Sequence, residues 1–181
     1  MTGNTRTRTE HRVVLTGLGV VSPIGIGLEE FWEGLQEGRN GVARLTHFDP
    51  SKYRSQMAAE VKGFDPEDWI EKKSVGRMDR FIQFALAAGT MAMQDSGLDE
   101  YSYDGNRAGV IIGSGIGGSS SIQEAYTILR EIGPKSLSPF TVTKILINIA
   151  ACQVSIKYGL KGPLSAPSVA CSTSSNAVGD A

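Results

Sequence analysis

Short β-branched runs alternate with stretches of helical periodicity along this chain of 181 residues. Three runs predict strands at 12–16 (RVVLT), 108–112 (AGVII) and 168–170 (SVA). Four stretches with apolar residues at helical spacing predict helices at 28–37, 78–96, 121–130 and 142–158. The alternation of strands with helices favours an α/β layered fold with a largely parallel sheet.

The clearest predicted helix covers residues 78–96 and ends before Gly97. Its apolar stripe consists of Phe81, Phe84, Ala85, Ala88, Met91 and Ala92. The many alanines predict close packing of this helix against its neighbours. Residues 40–76 include two prolines and predict a long surface excursion. The sequence contains no internal repeat or linker, so we expect one domain spanning 1–181.

The composition excludes several classes of function. Hydrophobic residues make up 40% of the chain and charged residues 20%, with a net charge of −1. This balance is typical of a globular protein and gives no reason to expect nucleic acid or a membrane as a partner. Two cysteines and two histidines, His11 and His47, are too few for a disulfide scaffold or a structural metal site. We therefore expect a reducing, cytoplasmic location and no metal.

A candidate nucleophile, Cys171, lies where the predicted strand 168–170 meets small polar residues that begin a helix. Backbone N–H groups and the helix dipole at such a turn would favour the thiolate, which is the nucleophilic form. The same N–H groups could hydrogen-bond a thioester oxygen as it becomes an oxyanion. A small buried hydrophobe beside a helix cap is an equally plausible interpretation of Cys171 from the local pattern alone.

Six segments, in this order, resemble the elongating β-ketoacyl-acyl carrier protein synthases. They are 13–25 (VVLTGLGVVSPIG), 78–98, 113–118 (GSGIGG), 138–148, 158–163 (YGLKGP) and 170–181 (ACSTSSNAVGDA). The resemblance implies the N-terminal half of a thiolase-like fold, with Cys171 as nucleophile and its backbone N–H in an oxyanion hole. It implies decarboxylative condensation of an acyl thioester with malonyl-acyl carrier protein, without any cofactor.

The resemblance also assigns binding roles to other residues. Ile116, Ala170, Thr141 and Val142 match positions that line the acyl pocket, the last two across a homodimer interface. Ordinary packing is the alternative for these residues. Lys73 and Arg77 match basic positions that meet the acidic acyl carrier protein, although solvated surface charge is as plausible for this pair. Thr141 replaces a frequent phenylalanine, which leaves the preferred chain length open.

The family's two catalytic histidines and its lysine fall beyond Ala181, so we expect a domain cut just after the nucleophile turn and inactive alone. Three alternatives stay open: a ketosynthase of polyketide synthesis, a non-catalytic ketosynthase partner, and a nucleotide-binding domain. Cys171 argues against the non-catalytic partner. The nucleotide hypothesis comes from Gly113, Gly115 and Gly118, which fit a GxGxxG pattern after a predicted strand. No acidic residue follows at the expected distance, so an acyl-pocket loop is favoured.

Overall fold

The computed structural model describes residues 12–98 and 102–181. Its helices are α1 Leu28–Gln36, α2 Lys72–Val75, α3 Arg80–Asp95, α4 Ser119–Glu131, α5 Thr141–Ile145, α6 Ile149–Tyr158 and α7 Thr173–Asp180. Its strands are β1 Val21–Ser22, β2 Gly25–Ile26, β3 Val42–Arg44, β4 Met57–Ala59, β5 Val110–Ile111 and β6 Leu164–Ser165. Single 3₁₀ turns lie at Pro66–Asp68, Gly105–Arg107, Pro134–Ser136 and Ala170–Ser172.

Helices and strands make the fold α/β as predicted, but the described strands form three separate pairs and not the predicted, largely parallel sheet. Strands β1 and β2 pair antiparallel, and so do β3 and β4. Strands β5 and β6 pair parallel, with Val110 opposite Leu164 and Ile111 opposite Ser165. Because α4, α5 and α6 lie between β5 and β6 in the chain, this pair is a crossover unit of the kind that parallel strands require. The predicted nucleophile turn follows shortly after β6 in the chain.

Helices α3 and α6 pack together and form the centre of the core. The core cluster comprises Ile70, Ile82, Leu86, Val110, Ala151 and Val154. Helix α3 is capped by Asp79, whose side chain accepts a hydrogen bond from the Phe81 N–H, and it ends before Gly97, which has a φ of 68°. The helix predicted at 78–96 is therefore confirmed. Its most buried face is Ile82, Leu86 and Ala87, whereas the predicted stripe is only half-buried.

The strand predicted at 12–16 is wrong for this structure. Val13 is 85% exposed and Leu15 is 83% exposed, and among the described residues no strand pairs with this run. A β-branched run becomes a strand only when a neighbouring backbone completes its hydrogen bonds. Instead, the chain that follows lies against α3, where a Cβ on Gly19 would come within 1.9 Å of the Ala88 carbonyl oxygen.

The helix predicted at 142–158 is two helices, α5 and α6, separated at residues 146–148. Leu146 is extended at ψ 132°, and the Ile145 carbonyl accepts a hydrogen bond from the Gly118 N–H at 3.2 Å. This long-range bond holds the end of α5 against the glycine loop, so tertiary contact overrides a continuous apolar pattern. The helices predicted at 28–37 and 121–130 are confirmed as α1 and α4.

The strand predicted at 168–170 is also wrong. The parallel pairing ends at Ser165, and 166–169 is irregular backbone before the 3₁₀ turn. The Val169 N–H donates to the Thr173 hydroxyl instead of to a strand. His11 lies outside the described residues. Within residues 12–98 and 102–181, no helix combines the length and apolar character that a membrane crossing needs.

Candidate active site

Cys171 lies in the 3₁₀ turn that immediately precedes α7, and its side chain is an exposed free thiol. The Ser172 N–H donates to the Val169 carbonyl at 3.1 Å, and the Thr173 N–H donates to the Ala170 carbonyl. Among the described residues, the Cys171 N–H has no backbone or side-chain acceptor. The turn therefore presents a thiol and an unused N–H donor together, next to a helix N-terminus.

Thr173 holds this turn in place, and the sequence analysis missed it. Its hydroxyl accepts a hydrogen bond from the Val169 N–H at 2.9 Å and donates one to the Ala170 carbonyl at 2.8 Å. Thr173 is only 5% exposed, and the turn that it bridges contains Ala170 at φ 51°, in the left-handed region. A signal was present, because Ser and Thr near a helix start commonly bond to neighbouring backbone.

The glycine loop, residues 113–118, packs against the nucleophile turn. A Cβ on Gly113 would come within 2.2 Å of Thr173 Cγ2, so only glycine fits this contact. The Ser168 hydroxyl donates to the Gly115 carbonyl at 3.3 Å. Ile116 follows in the loop and is 72% exposed. Of the four predicted acyl-pocket residues, Ile116 and Ala170 thus lie in two segments that contact each other.

The other end of the glycine loop contacts α5, which carries Thr141 and Val142. A Cβ on Gly118 would come within 2.1 Å of the Lys144 carbonyl oxygen. The Thr141 hydroxyl donates to the Ser138 carbonyl at 2.7 Å, and Val142 is 62% exposed. Thr141 therefore bonds to the backbone just before α5 and lines a small cavity between α4 and α5. The apolar side chain of Val142, in contrast, is exposed at the surface.

The N-terminus of α4, where a nucleotide phosphate would bind, already holds a carboxylate. Asp79 Oδ2 accepts hydrogen bonds from the Ser121 N–H at 3.1 Å and the Ser121 hydroxyl at 2.6 Å. In the loop, the Gly117 N–H donates to Ser114 Oγ at 2.9 Å and the Gly118 N–H donates to the Ile145 carbonyl. These donors are the ones that a phosphate needs. The geometry therefore disfavours the dinucleotide site that the glycine pattern left open.

The two predicted carrier-docking residues have different surroundings. Lys73 Nζ lies 2.9 Å from a carboxylate oxygen of Glu71, and both side chains are largely exposed. The Arg77 guanidinium lies 4.9 Å from the ring centroid of Phe140, the residue before α5. In the part of the chain that the structure describes, Arg77 forms no ion pair. Arg77 is therefore the more available of the two charges.

His47 lies in the connection between β3 and β4, away from the nucleophile turn. Its Nε2 is 3.9 Å from Glu60, whose carboxylate also accepts hydrogen bonds from the Thr46 hydroxyl and from two backbone N–H groups. The Thr46 hydroxyl is the main cause of a lowered pKa at Glu60. The described residues contain no group of three or more His, Cys, Asp or Glu side chains that could hold a metal.

Comparison with known proteins identifies relatives along nearly the whole chain. A family model described as "Beta-ketoacyl synthase, N-terminal domain" matches residues 10–181. Proteins named 3-oxoacyl-[acyl-carrier-protein] synthase 2 are 42% identical over 173 residues in Vibrio cholerae and 44% identical over 172 residues in Coxiella burnetii. These alignments cover 96% and 95% of this chain, but 42% of each relative. The chain thus spans about two fifths of the length of the curated relatives that it matches.

Solved structures show the same arrangement of elements. A β-ketoacyl synthase from Burkholderia phymatum STM815 superposes with a TM-score of 0.76 at 31% identity, covering 93% of this chain and 42% of that one. The ishigamide ketosynthase/chain length factor superposes with a TM-score of 0.77 at 30% identity, covering 86% of this chain and 39% of that one. The fold is therefore the N-terminal half of the thiolase-like arrangement that these proteins share.

Proposed function

The chain belongs to the β-ketoacyl synthase family, and on that premise we propose that it carries the nucleophile of a condensing enzyme that elongates fatty acyl chains. The observation that carries the proposal is the nucleophile turn. An exposed thiol, an unused backbone N–H and a buried threonine that fixes both are combined at Cys171. The names of the curated relatives support an acyl carrier protein as the source of the substrates.

In the proposed reaction, Cys171 first accepts an acyl group. Its thiolate attacks the carbonyl carbon of an acyl thioester, and the donor's thiol leaves. The backbone N–H of Cys171 donates to the oxygen that becomes negative during this attack. The malonyl thioester then loses carbon dioxide, and the resulting carbanion attacks the acyl-Cys171 carbonyl. The Cys171 thiolate leaves, and the product is a β-ketoacyl thioester two carbons longer than the acyl group.

The acyl chain is proposed to lie against the glycine loop of its own subunit and against α5 of the second subunit of a homodimer. Ile116 and Ala170 line its start beside the thiol, and Thr141 with Val142 reach across the dimer interface to line its far end. The exposure of Ile116 and Val142 supports this role, because large apolar side chains left in solvent mark surfaces that are covered in the working state. For Val142 the covering surface is proposed to be the second subunit of a homodimer.

The carrier protein is proposed to dock on the surface that carries Lys73 and Arg77. Cationic side chains steer an acidic partner toward the entrance of the site, and they do so less effectively as salt increases. Since Lys73 is already close to Glu71, Arg77 is expected to contribute more. Two free cysteines fit a reducing, cytoplasmic location.

Acylation of Cys171 tests the proposal directly. The full-length protein is mixed with an acyl-acyl carrier protein, digested, and analysed by mass spectrometry for a thioester on the peptide that contains Cys171. We expect acylation at Cys171 and none in the Cys171→Ala variant. Cys152→Ser is the matched control, because Cys152 lies in α6 and should be dispensable. Acylation that persists in Cys171→Ala, or that fails with every acyl donor, would refute the proposal.

Docking is tested separately by charge substitution. Arg77→Glu should raise the KM for acyl carrier protein more than Lys73→Glu does. Added salt should reduce the difference in KM between the two variants. Lys135→Glu, in an exposed turn after α4, is the control and should leave the KM unchanged. If all three variants behave alike, the carrier protein does not use this surface.

A ketosynthase of polyketide synthesis is the second candidate, and the structural likeness to the ishigamide ketosynthase/chain length factor is consistent with it without favouring it over the first. The two candidates differ in what happens after the first condensation. A fatty-acid enzyme takes a fully reduced acyl chain in each round, whereas a polyketide enzyme also extends β-ketoacyl chains. Rates with matched reduced and β-keto donors therefore distinguish them.

A further inference from the structure

We propose that Asp79 is a positioning residue that holds the glycine loop, and with it Ile116, against the nucleophile turn. The inference rests on the proposed function, because it concerns the acyl pocket of that site. Asp79 is only 8% exposed although it is charged, and it lies at the junction of α3, α4 and the glycine loop. A buried carboxylate is costly unless it makes compensating bonds, so its contacts indicate what it stabilises.

The two oxygens of Asp79 hold two different helices. Oδ1 accepts a hydrogen bond from the Phe81 N–H at 3.3 Å and so caps α3. Oδ2 accepts from the N–H and the hydroxyl of Ser121, at 3.1 Å and 2.6 Å, and so caps α4. Ser121 is itself buried, at 7% exposure. One side chain therefore fixes the start of α4, directly after the glycine loop, relative to the central helix of the core.

The same carboxylate lies against the end of the glycine loop. A Cβ on Gly118 would come within 3.1 Å of Asp79 Oδ2. Gly118 is buried, and its N–H is bonded to the Ile145 carbonyl, so this end of the loop lies between Asp79 and α5. The opposite end of the loop is fixed by the contact of Gly113 with Thr173. Ile116, at 72% exposure, has little packing of its own and depends on these two anchors.

The competing explanation is that Asp79 only caps α3. Two substitutions distinguish this capping role from a bridging role between α3 and α4. Asp79→Ser keeps an oxygen that can cap α3 but has no second oxygen to reach Ser121. Ser121→Ala removes the hydroxyl that donates the shorter of the two hydrogen bonds to Asp79 Oδ2, and it leaves the cap of α3 intact. If bridging is the function, both variants should show the same defect, and the double variant should be little worse than either.

The test measures acylation of Cys171 by short and long acyl thioesters in the full-length protein. A misplaced Ile116 should affect a long chain, which fills the pocket, and spare an acetyl group, which does not reach it. We expect Asp79→Ser and Ser121→Ala each to slow acylation by a dodecanoyl donor about tenfold, with the acetyl donor changed less than about twofold. Ser120→Ala, at the exposed neighbouring position of α4, should change neither rate.

The outcomes distinguish this inference from the proposed function. If the wild-type protein is not acylated at Cys171, the proposed function fails. If it is acylated but both variants keep the wild-type ratio of long-chain to acetyl rates, the inference about Asp79 is overturned. Equal slowing with both donors and a lowered Tm would show a general role in folding, and would also overturn it.

Discussion

Replacing Gly113 with alanine should displace the nucleophile turn, because the new side chain has no room. The added Cβ would lie 2.2 Å from Thr173 Cγ2, 3.0 Å from the Pro167 carbonyl oxygen and 3.3 Å from the Thr173 carbonyl oxygen. Ordinary contacts between carbon atoms are about 3.5–4.0 Å, so the loop or the turn has to shift by more than 1 Å. Overpacking of this kind costs about 1–3 kcal/mol.

A second substitution shows whether the methyl contact is the cause. Thr173→Ser removes Cγ2 and keeps the hydroxyl that bridges the Val169 N–H and the Ala170 carbonyl. Alone it should cost about 1 kcal/mol for one buried methyl group. In Gly113→Ala it should recover part of the lost stability, so the double variant is more stable than the sum of the single changes predicts.

Thermal unfolding and alkylation of Cys171 measure the two consequences. For a chain of this size, about 1 kcal/mol corresponds to about 2–4 °C, so Gly113→Ala should lower Tm by about 2–12 °C. The alkylation rate of Cys171 should also change, because the turn that presents the thiol has moved. Gly76→Ala is the control, since its Cβ would meet nothing within 4 Å. A Gly113→Ala variant with wild-type Tm and alkylation rate would refute the packing argument.

Two further substitutions test local electrostatics and backbone strain. The hydrogen bond from the Thr46 hydroxyl is the main cause that lowers the pKa of Glu60 below its ordinary 4.5. The stability that ionised Glu60 provides is therefore fully present above about pH 4.5, and it is lost as the pH falls through the lowered pKa. Between pH 5 and pH 3, the Tm of Glu60→Gln should therefore fall less than the Tm of the wild-type protein. The same dependence of Tm on pH in both proteins would contradict this. Ala170→Gly should raise the free energy of unfolding by up to about 1.5 kcal/mol. The left-handed φ of 51° costs alanine about 1–2 kcal/mol, and the greater chain entropy of glycine in the unfolded state offsets about 0.5–1 kcal/mol of that relief. Ala177→Gly in α7 should lower the Tm instead, and equal effects of the two glycines would contradict the strain argument.

The sequence predicted the helices well because their signals are local. Helix α3 has apolar residues at helical spacing and a glycine after its end, and the structure confirms the helix and its end although a different face is the most buried one. The break between α5 and α6 has no such signal. It depends on a hydrogen bond from Gly118 to Ile145, which are far apart in the sequence and become neighbours only in the folded chain.

The candidate site was predictable in part for the same reason. Small polar residues and a helix start, which are adjacent to Cys171 in the chain, made it a candidate, and the family resemblance then favoured a nucleophile over a buried packing residue. The roles of Thr173 and Asp79 could not be recognised, because they are defined by partners in other elements. In the sequence Asp79 is only one polar residue of the predicted helix 78–96, and the fold alone brings Ser121 to its second oxygen. Residues that position a site are thus harder to predict than the residue that performs its chemistry.

The glycine loop shows why a motif alone cannot decide between two chemistries. Gly113 and Gly118 are required here because Thr173 and the Lys144 carbonyl lie too close for any side chain, whereas in a nucleotide site the same spacing lets a phosphate approach the backbone. The discriminating feature is the group at the N-terminus of α4. Here it is a carboxylate of the protein itself, which satisfies the donors that a phosphate would otherwise use and repels a second anion. The glycines therefore determine how closely the loop packs against neighbouring backbone. The charged group at the N-terminus of α4 determines which ligand the loop can bind.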